Sequence, residues 1–154
     1  MSPQFARLRT MLCPVMATIE RDTAVLVLES ISGTKARVSV PRTNYELDLL
    51  VEGVTEGLEA GKRLRGIVHA RALRMHRAAA GGTYIEPVQG TPRIVQGRVL
   101  ATDTKSNCVL LHAGLPMWVG VPQGQAAADF ETGELLNFYV ESGTALRRSA
   151  ADCV

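Results

Sequence analysis

The sequence predicts an all-β protein made of two tandem small β-barrels, residues 1–80 and 81–154. Three observations predict this: an internal repeat, short runs in which apolar and polar residues alternate, and turn residues that separate those runs at regular intervals. Asp22-Thr23 recurs as Asp103-Thr104, Gly33 as Gly114, and Val38-x-Val40-Pro41 as Val119-x-Val121-Pro122, each 81 residues further on. The match resumes at Gly61 and Gly133, 72 apart, so the first copy carries nine more residues in the connection over 42–60. A unit of about 60 residues buries only ~60% of its unfolded surface, so the two copies are expected to lean on each other.

In order along the chain, β-branched and apolar residues place strands over 15–20, 24–29, 35–40 and 62–71 in the first copy. The second copy places them over 94–102, 108–112, 117–121 and 134–141. Asp22-Thr23 and Asp103 to Asn107 are expected as hairpin turns, because Asp and Asn side chains bond their own backbone. Pro41 and Pro122 cannot donate to a ladder and end the strands before them. In the connection over 42–60, Leu47, Leu49, Leu50, Val54 and Leu58 alternate loosely with Glu46, Asp48, Glu52, Glu56 and Glu59 and predict a short amphipathic helix interrupted by Gly53 and Gly57, and 125–129 leaves room for one helical turn. Residues 75–83, with Ala78-Ala79-Ala80-Gly81-Gly82, lack periodicity and are expected as a linker or mobile loop. Closing each set of strands into a barrel would remove its exposed edges.

This succession of strands with glycines at the corners resembles the oligonucleotide- and oligosaccharide-binding fold and related small barrels. The resemblance implies a fold, and many unrelated functions sit on such barrels. The pairing of two small barrels, with Gly61-Lys62 before the last strand of the first, is also similar to molybdate-binding proteins with paired domains. The Ser-Ala-Arg-Asn opening of their anion site is absent from this sequence.

Composition narrows the function classes. No run approaches the ~20 apolar residues that span a bilayer, which predicts no membrane contact. The apolar run after Arg7 and Arg9 is broken by Pro14 and followed by no small-residue cleavage site, and Leu12 before Cys13 does not suit a lipoprotein site. A cytoplasmic location is the expectation. Cys13, Cys108 and Cys153 are an odd number without short spacing, which argues against a disulfide framework or a cysteine metal site. Cys108 is expected as a small buried hydrophobe. His69, His76 and His112 show no ligand spacing, and no paired carboxylates or phosphate loop appear, so no enzyme activity, metal or cofactor is expected.

The chemistry that remains is a basic stripe. On a strand over 62–71, alternation puts Arg63, Arg65, His69 and Arg71 on one face and Leu64, Val68 and Ala72 on the other, and Arg74, His76 and Arg77 follow. Residues 1–80 hold 12 Lys/Arg against 8 Asp/Glu, whereas residues 81–154 hold 5 against 7, so the copies differ in charge. Aligned cations release counterions from a phosphate backbone, so Arg63, Arg65, His69, Arg71 and Arg74 are the candidate RNA- or DNA-binding residues. The plain alternative is a solvated outer face. Trp118, Phe138 and Tyr139 fall in the second copy, apart in sequence from that stripe, although stacking platforms interleave rings with cations. Trp118, between Met117 and Val119, is expected to face outward as a protein contact or to seal the junction between barrels. The expected function is a non-enzymatic binding module contacting nucleic acid or another polyanion. Its alternatives are an oligomerising or adaptor protein that contacts itself or another protein and, more remotely, a small-anion binder.

Overall fold

Eleven strands account for most of residues 21–148, the part of the chain that the computed structural model describes. They are β1 (Thr23–Ser32), β2 (Lys35–Ser39), β3 (Glu46–Gly53), β4 (Arg63–Arg77), β5 (Tyr84–Glu86) and β6 (Gln89–Gly90) in the first part of the chain. They continue with β7 (Ile94–Asp103), β8 (Cys108–His112), β9 (Pro116–Gly120), β10 (Leu135–Val140) and β11 (Ala145–Arg148). The protein is therefore all-β. A 3₁₀ turn, Ala127–Asp129, lies inside the stretch expected to hold one. The strand expected over 15–20 lies outside the described residues, as do Cys13 and Cys153.

The pairings form two circuits. In the first, β1 pairs with β2, β2 with β3, β3 with β11, β11 with β4 and β4 with β1. In the second, β7 pairs with β8, β8 with β9, β9 with β4, β4 with β10 and β10 with β7. Both have one plan: a three-strand meander, a fourth strand antiparallel to the first, and a fifth parallel to the third. The fifth strands are exchanged. The first circuit is completed by β11, from the far end of the described chain, and the second by the C-terminal part of β4. Each circuit thus draws one strand from across residue 80.

The strands of the two circuits do not correspond at the 81-residue spacing of the sequence motifs. In each meander the first strand carries one extra residue opposite the second, Glu29 in β1 and Leu100 in β7. These bulges lie 71 residues apart, and Leu64 and Leu136, at corresponding places in the fourth strands, lie 72 apart. The Val-x-Val-Pro motif ends β2 in one circuit and β9 in the other, a second strand and a third. Its valines nonetheless point inward: Val38, Val40, Val119 and Val121 are all buried.

Three further expectations change. The connection over 42–60 holds strand β3 rather than a helix, because Leu47, Leu49 and Val51 alternate strictly with Glu46, Asp48, Leu50 and Glu52, and the odd-numbered set is buried. Asp22-Thr23 is not a turn: Thr23 opens β1 and Asp22 is buried. Residues 75–77 belong to β4, whose pairing with β10 runs through Arg77. The turn reading does hold for Asp103, whose carboxylate accepts from Lys105 N at 3.0 Å and Ser106 Oγ at 2.9 Å.

Where β11 enters the first circuit, two glycines give it room. Gly53 closes β3 at φ +83°, and a Cβ there would stand 2.1 Å from the Arg148 carbonyl oxygen. At Gly66 a Cβ would stand 2.7 Å from the Arg147 oxygen and 2.8 Å from Leu146 Cδ1. Only glycine admits a neighbouring backbone so closely. Leu146 is thereby fully buried in a core that is continuous through both circuits, from Leu26 and Leu49 to Val119 and Phe138.

Because that core is shared, truncating it in either circuit should lower one common transition. Leu146→Ala is expected to cost about 2–5 kcal/mol and Val119→Ala about 1–3 kcal/mol in urea unfolding. Tryptophan emission and far-ultraviolet dichroism should report the same midpoint in both variants. A change within ±0.5 kcal/mol, roughly the range of surface substitutions, would place the residue outside the core.

Candidate nucleic-acid interface

Strand β4 carries the candidate site because it is long, shared by both circuits and strictly alternating up to residue 72. Leu64, Gly66, Val68, Ala70 and Ala72 turn inward, and Arg63, Arg65, Ile67, His69 and Arg71 turn out. Opposite β10 the register skips Leu73, so the alternation shifts by one: Arg74 is exposed, Met75 is buried and His76 is exposed. The predicted cations therefore form one row on a single strand, with Arg63, Arg65, Arg71 and Arg74 exposed and His69 half-buried.

The partner strands bring rings to that row. Trp118 of β9 is the register partner of His69, and Tyr139 of β10 is the register partner of Arg74. Tyr139 is 59% exposed, the most exposed of the large apolar side chains among the described residues. The separation of rings from cations seen in the sequence is thus a separation along the chain and not in space. Sequence reasoning missed this neighbourhood, because nothing local indicates that β9 and β10 lie against β4.

Carboxylates temper the row unevenly. Arg71 Nε stands 3.8 Å from Glu141 Oε2, and Arg147 Nη2, from β11, stands 3.4 Å from Glu52 Oε2. Among the described residues no such ion pair forms at Arg63, Arg65 or Arg74. At the C-terminal end of β4, Arg77 is tied to Glu134 and to the carbonyl of Asp129, and its guanidinium lies 5.1 Å from the centre of the Phe130 ring. Arg77 is committed to holding the turn before β10, whereas Arg63, Arg65 and Arg74 are open to solvent.

At the seam between circuits lies a hollow of about 260 Å³ bordered by Glu52, His69, Arg71, Trp118, Gly120 and Arg147. The Trp118 indole is fixed there: its Nε1 donates to Asp22 Oδ2 at 2.8 Å, and Asp22 is only 7% exposed. Oδ1 of the same carboxylate has no hydrogen-bond partner. Trp118 is half-buried and sits at the junction between circuits. Cys108 is half-buried and borders the same hollow, instead of being a core residue. His112 is exposed at the end of β8. No group of three or more His, Cys, Asp or Glu suited to a metal ion exists among the described residues, and no described helix is long and apolar enough to cross a membrane.

Comparison of the chain with protein-family models, curated proteins and solved structures finds no match.

Burial lowers the His69 pKa below the ordinary histidine value, the Arg147 charge lowers it further, and Glu52 and Asp22 pull the other way. The folded protein thus resists the proton that the unfolded chain accepts. His69's contribution to stability is complete above about pH 6.5 and is lost as pH falls below that value towards the folded pKa. His69→Gln is expected to flatten the decline in stability between about pH 7 and pH 5, measured as urea midpoints at both values. Equal declines in variant and parent would show that His69 does not resist protonation.

Proposed function

We propose that the protein is a non-enzymatic module that binds single-stranded nucleic acid along the outward face of β4. The observation that carries this reading is the register that sets Trp118 beside His69 and Tyr139 beside Arg74 on a strand already lined by Arg63, Arg65 and Arg71. Cations tracking a backbone, with rings on which bases stack, are the two components of sequence-tolerant single-strand binding. A duplex would have less use for the rings.

In this reading each circuit is a small barrel of the oligonucleotide- and oligosaccharide-binding type, since three meandering strands, a fourth against the first and a fifth parallel to the third supply what that fold needs. Such barrels bind mainly through their second and third strands. In the first circuit that surface carries Glu46, Asp48 and Glu52 against Lys35 and Arg37, the latter locked to Asp48 at 2.8 Å, a balance that offers phosphate little. In the second it carries Trp118. The nucleic-acid strand then runs over β4 and the second circuit instead of over β2 and β3, and meets the acidic side of the first at Glu52, which borders the hollow beside Trp118.

A protein-contact role is the second reading, favoured by Leu73, 56% exposed at the β4 bulge next to Tyr139, with exposed Val88 nearby in sequence to the Ile94 edge that Tyr139 pairs. The two readings separate in one set of measurements. Anisotropy of labelled mixed-sequence RNA and DNA oligomers at ~50 mM salt should saturate, and affinity should fall as salt rises. Replacing Arg63 and Arg65 by Gln should leave folding nearly intact, since both side chains are exposed, and shallow the logarithmic salt slope by roughly 0.7–0.9 for each phosphate left without its cation. No saturable signal with either polymer would remove the nucleic-acid reading and leave an oligomerising or adaptor protein, visible as a concentration-dependent elution volume.

A further inference from the structure

We propose that the hollow beside Trp118 holds a single nucleotide, its base against the indole and its phosphate between Arg71 and Arg147. The inference rests on the nucleic-acid reading above and makes it specific: the row on β4 would be a track with one defined base pocket.

Four observations support a built slot. First, its size: about 260 Å³ falls below the ~300–1,000 Å³ of pockets that take drug-sized ligands, and suits one heterocycle with its attached group. Second, the indole is held in place before any ligand arrives, because its N–H is bonded to a carboxylate that is itself buried. A fixed ring loses little conformational freedom on stacking. Third, the next outward position on β9 has no side chain. Gly120 is the register partner of Arg71, and a Cβ there would already meet Arg71 Cγ at 3.5 Å, so any larger side chain would fill the space that a base needs. Fourth, the two cations at the rim come from different circuits. Arg71 lies on β4 and Arg147 on β11, and each leans on a carboxylate at 3.8 Å and 3.4 Å from a largely exposed position. Exposed pairs of this kind are weak, so a phosphate competes with Glu141 and Glu52 for the guanidinium groups at little cost.

The exchange of strands gives the slot its composition. Trp118 and Gly120 come from the second circuit's third strand, and Arg147 comes from the strand that completes the first. The hollow exists only where the circuits cross.

Trp118 is the only tryptophan in the chain, so intrinsic emission reports on this slot alone. The experiment titrates the full-length protein with a nucleoside monophosphate, the matching nucleoside, inorganic phosphate and a mixed-sequence single-stranded oligomer. It follows Trp118 emission, corrected for absorption by the base, and in parallel the anisotropy of the labelled oligomer. Saturable quenching by the monophosphate and the oligomer is expected, with weaker binding of the nucleoside and no quenching by phosphate. Gly120→Val should weaken monophosphate binding about 5- to 150-fold, the effect of losing one base stack. Arg71→Gln, at an exposed position, gives the same test should Gly120→Val fail to fold, and should narrow the difference between nucleotide and nucleoside.

An oligomer that binds by anisotropy while Trp118 emission stays constant would overturn the slot and leave the β4 reading standing. Equal effects of phosphate and nucleotide would also overturn it, reducing the hollow to an anion site. Quenching by the monophosphate without any oligomer binding would support the slot and sink the single-strand reading.

Discussion

Everything in this molecule hangs on a single strand that belongs to two circuits. Strand β4 is fifteen residues long, and along its length it exchanges one set of neighbours for another: β1 and β11 in the first half, β9 and β10 in the second. Neither circuit is complete in its own stretch of chain. Had β4 ended near residue 70, the second circuit would present unpaired backbone at the open edges of β9 and β10, and such edges recruit other chains. Exchange of the fifth strands satisfies both at once. It also makes the two cores one, which is why Leu146, near the end of the described chain, is packed in the circuit that begins at Thr23. The narrowest place is the entry of β11 past Gly53 and Gly66, where backbone approaches so closely that no side chain fits.

The same geometry fixes what the surface presents. A strand that is a wall of two circuits turns alternate side chains inward, here up to Ala72 and again at Met75 beyond the Leu73 bulge, and its other side chains are then held in an outward row. Small inward residues suit a strand crossing between cores: Gly66, Ala70 and Ala72 alternate with the larger Leu64 and Val68. The polar half of that alternation became arginine. Gln125 supports the far end, its side chain bonding both Met75 N and Met75 O at 2.8 Å on the side that β9 no longer reaches, so the row continues beyond β9.

How much of this could be read from the amino-acid sequence depended on how local each signal was. The inward and outward sets of β4 were legible, since alternation is a property of neighbours in sequence. So was the arrest of β2 and β9 before prolines. Strand β3 was misread because Leu47, Leu50, Val54 and Leu58 also satisfy a helical spacing, whereas the buried set is Leu47, Leu49 and Val51. The repeat was found in the wrong register for a related reason. Inward valines before a terminal proline recur wherever a short strand of a small core ends, so the motif marks a strand end without saying which strand. The bulges at Glu29 and Leu100 carry the true correspondence, and a bulge leaves no residue type behind it. Strand β11 was invisible, because Ala145 to Arg148 is a strand only by virtue of the gap between β3 and β4 that receives it.

The gathering of rings and cations depends on the least local fact of all. Trp118 and His69 are 49 positions apart, Tyr139 and Arg74 are 65 apart, and both pairs are register partners. Electrostatics then divides the row into two parts of different character. Arg71 and Arg147 lean on carboxylates, which lowers their cost of standing together at the seam and keeps their guanidinium groups aimed there. Arg63, Arg65 and Arg74 have no such partner among the described residues and gain more from a passing phosphate. Paired cations around a fixed indole favour one bound group at one place, and unpaired cations along a strand favour contact anywhere. On the proposed reading the two parts divide the work: the unpaired cations hold a chain, and the seam holds one nucleotide of it.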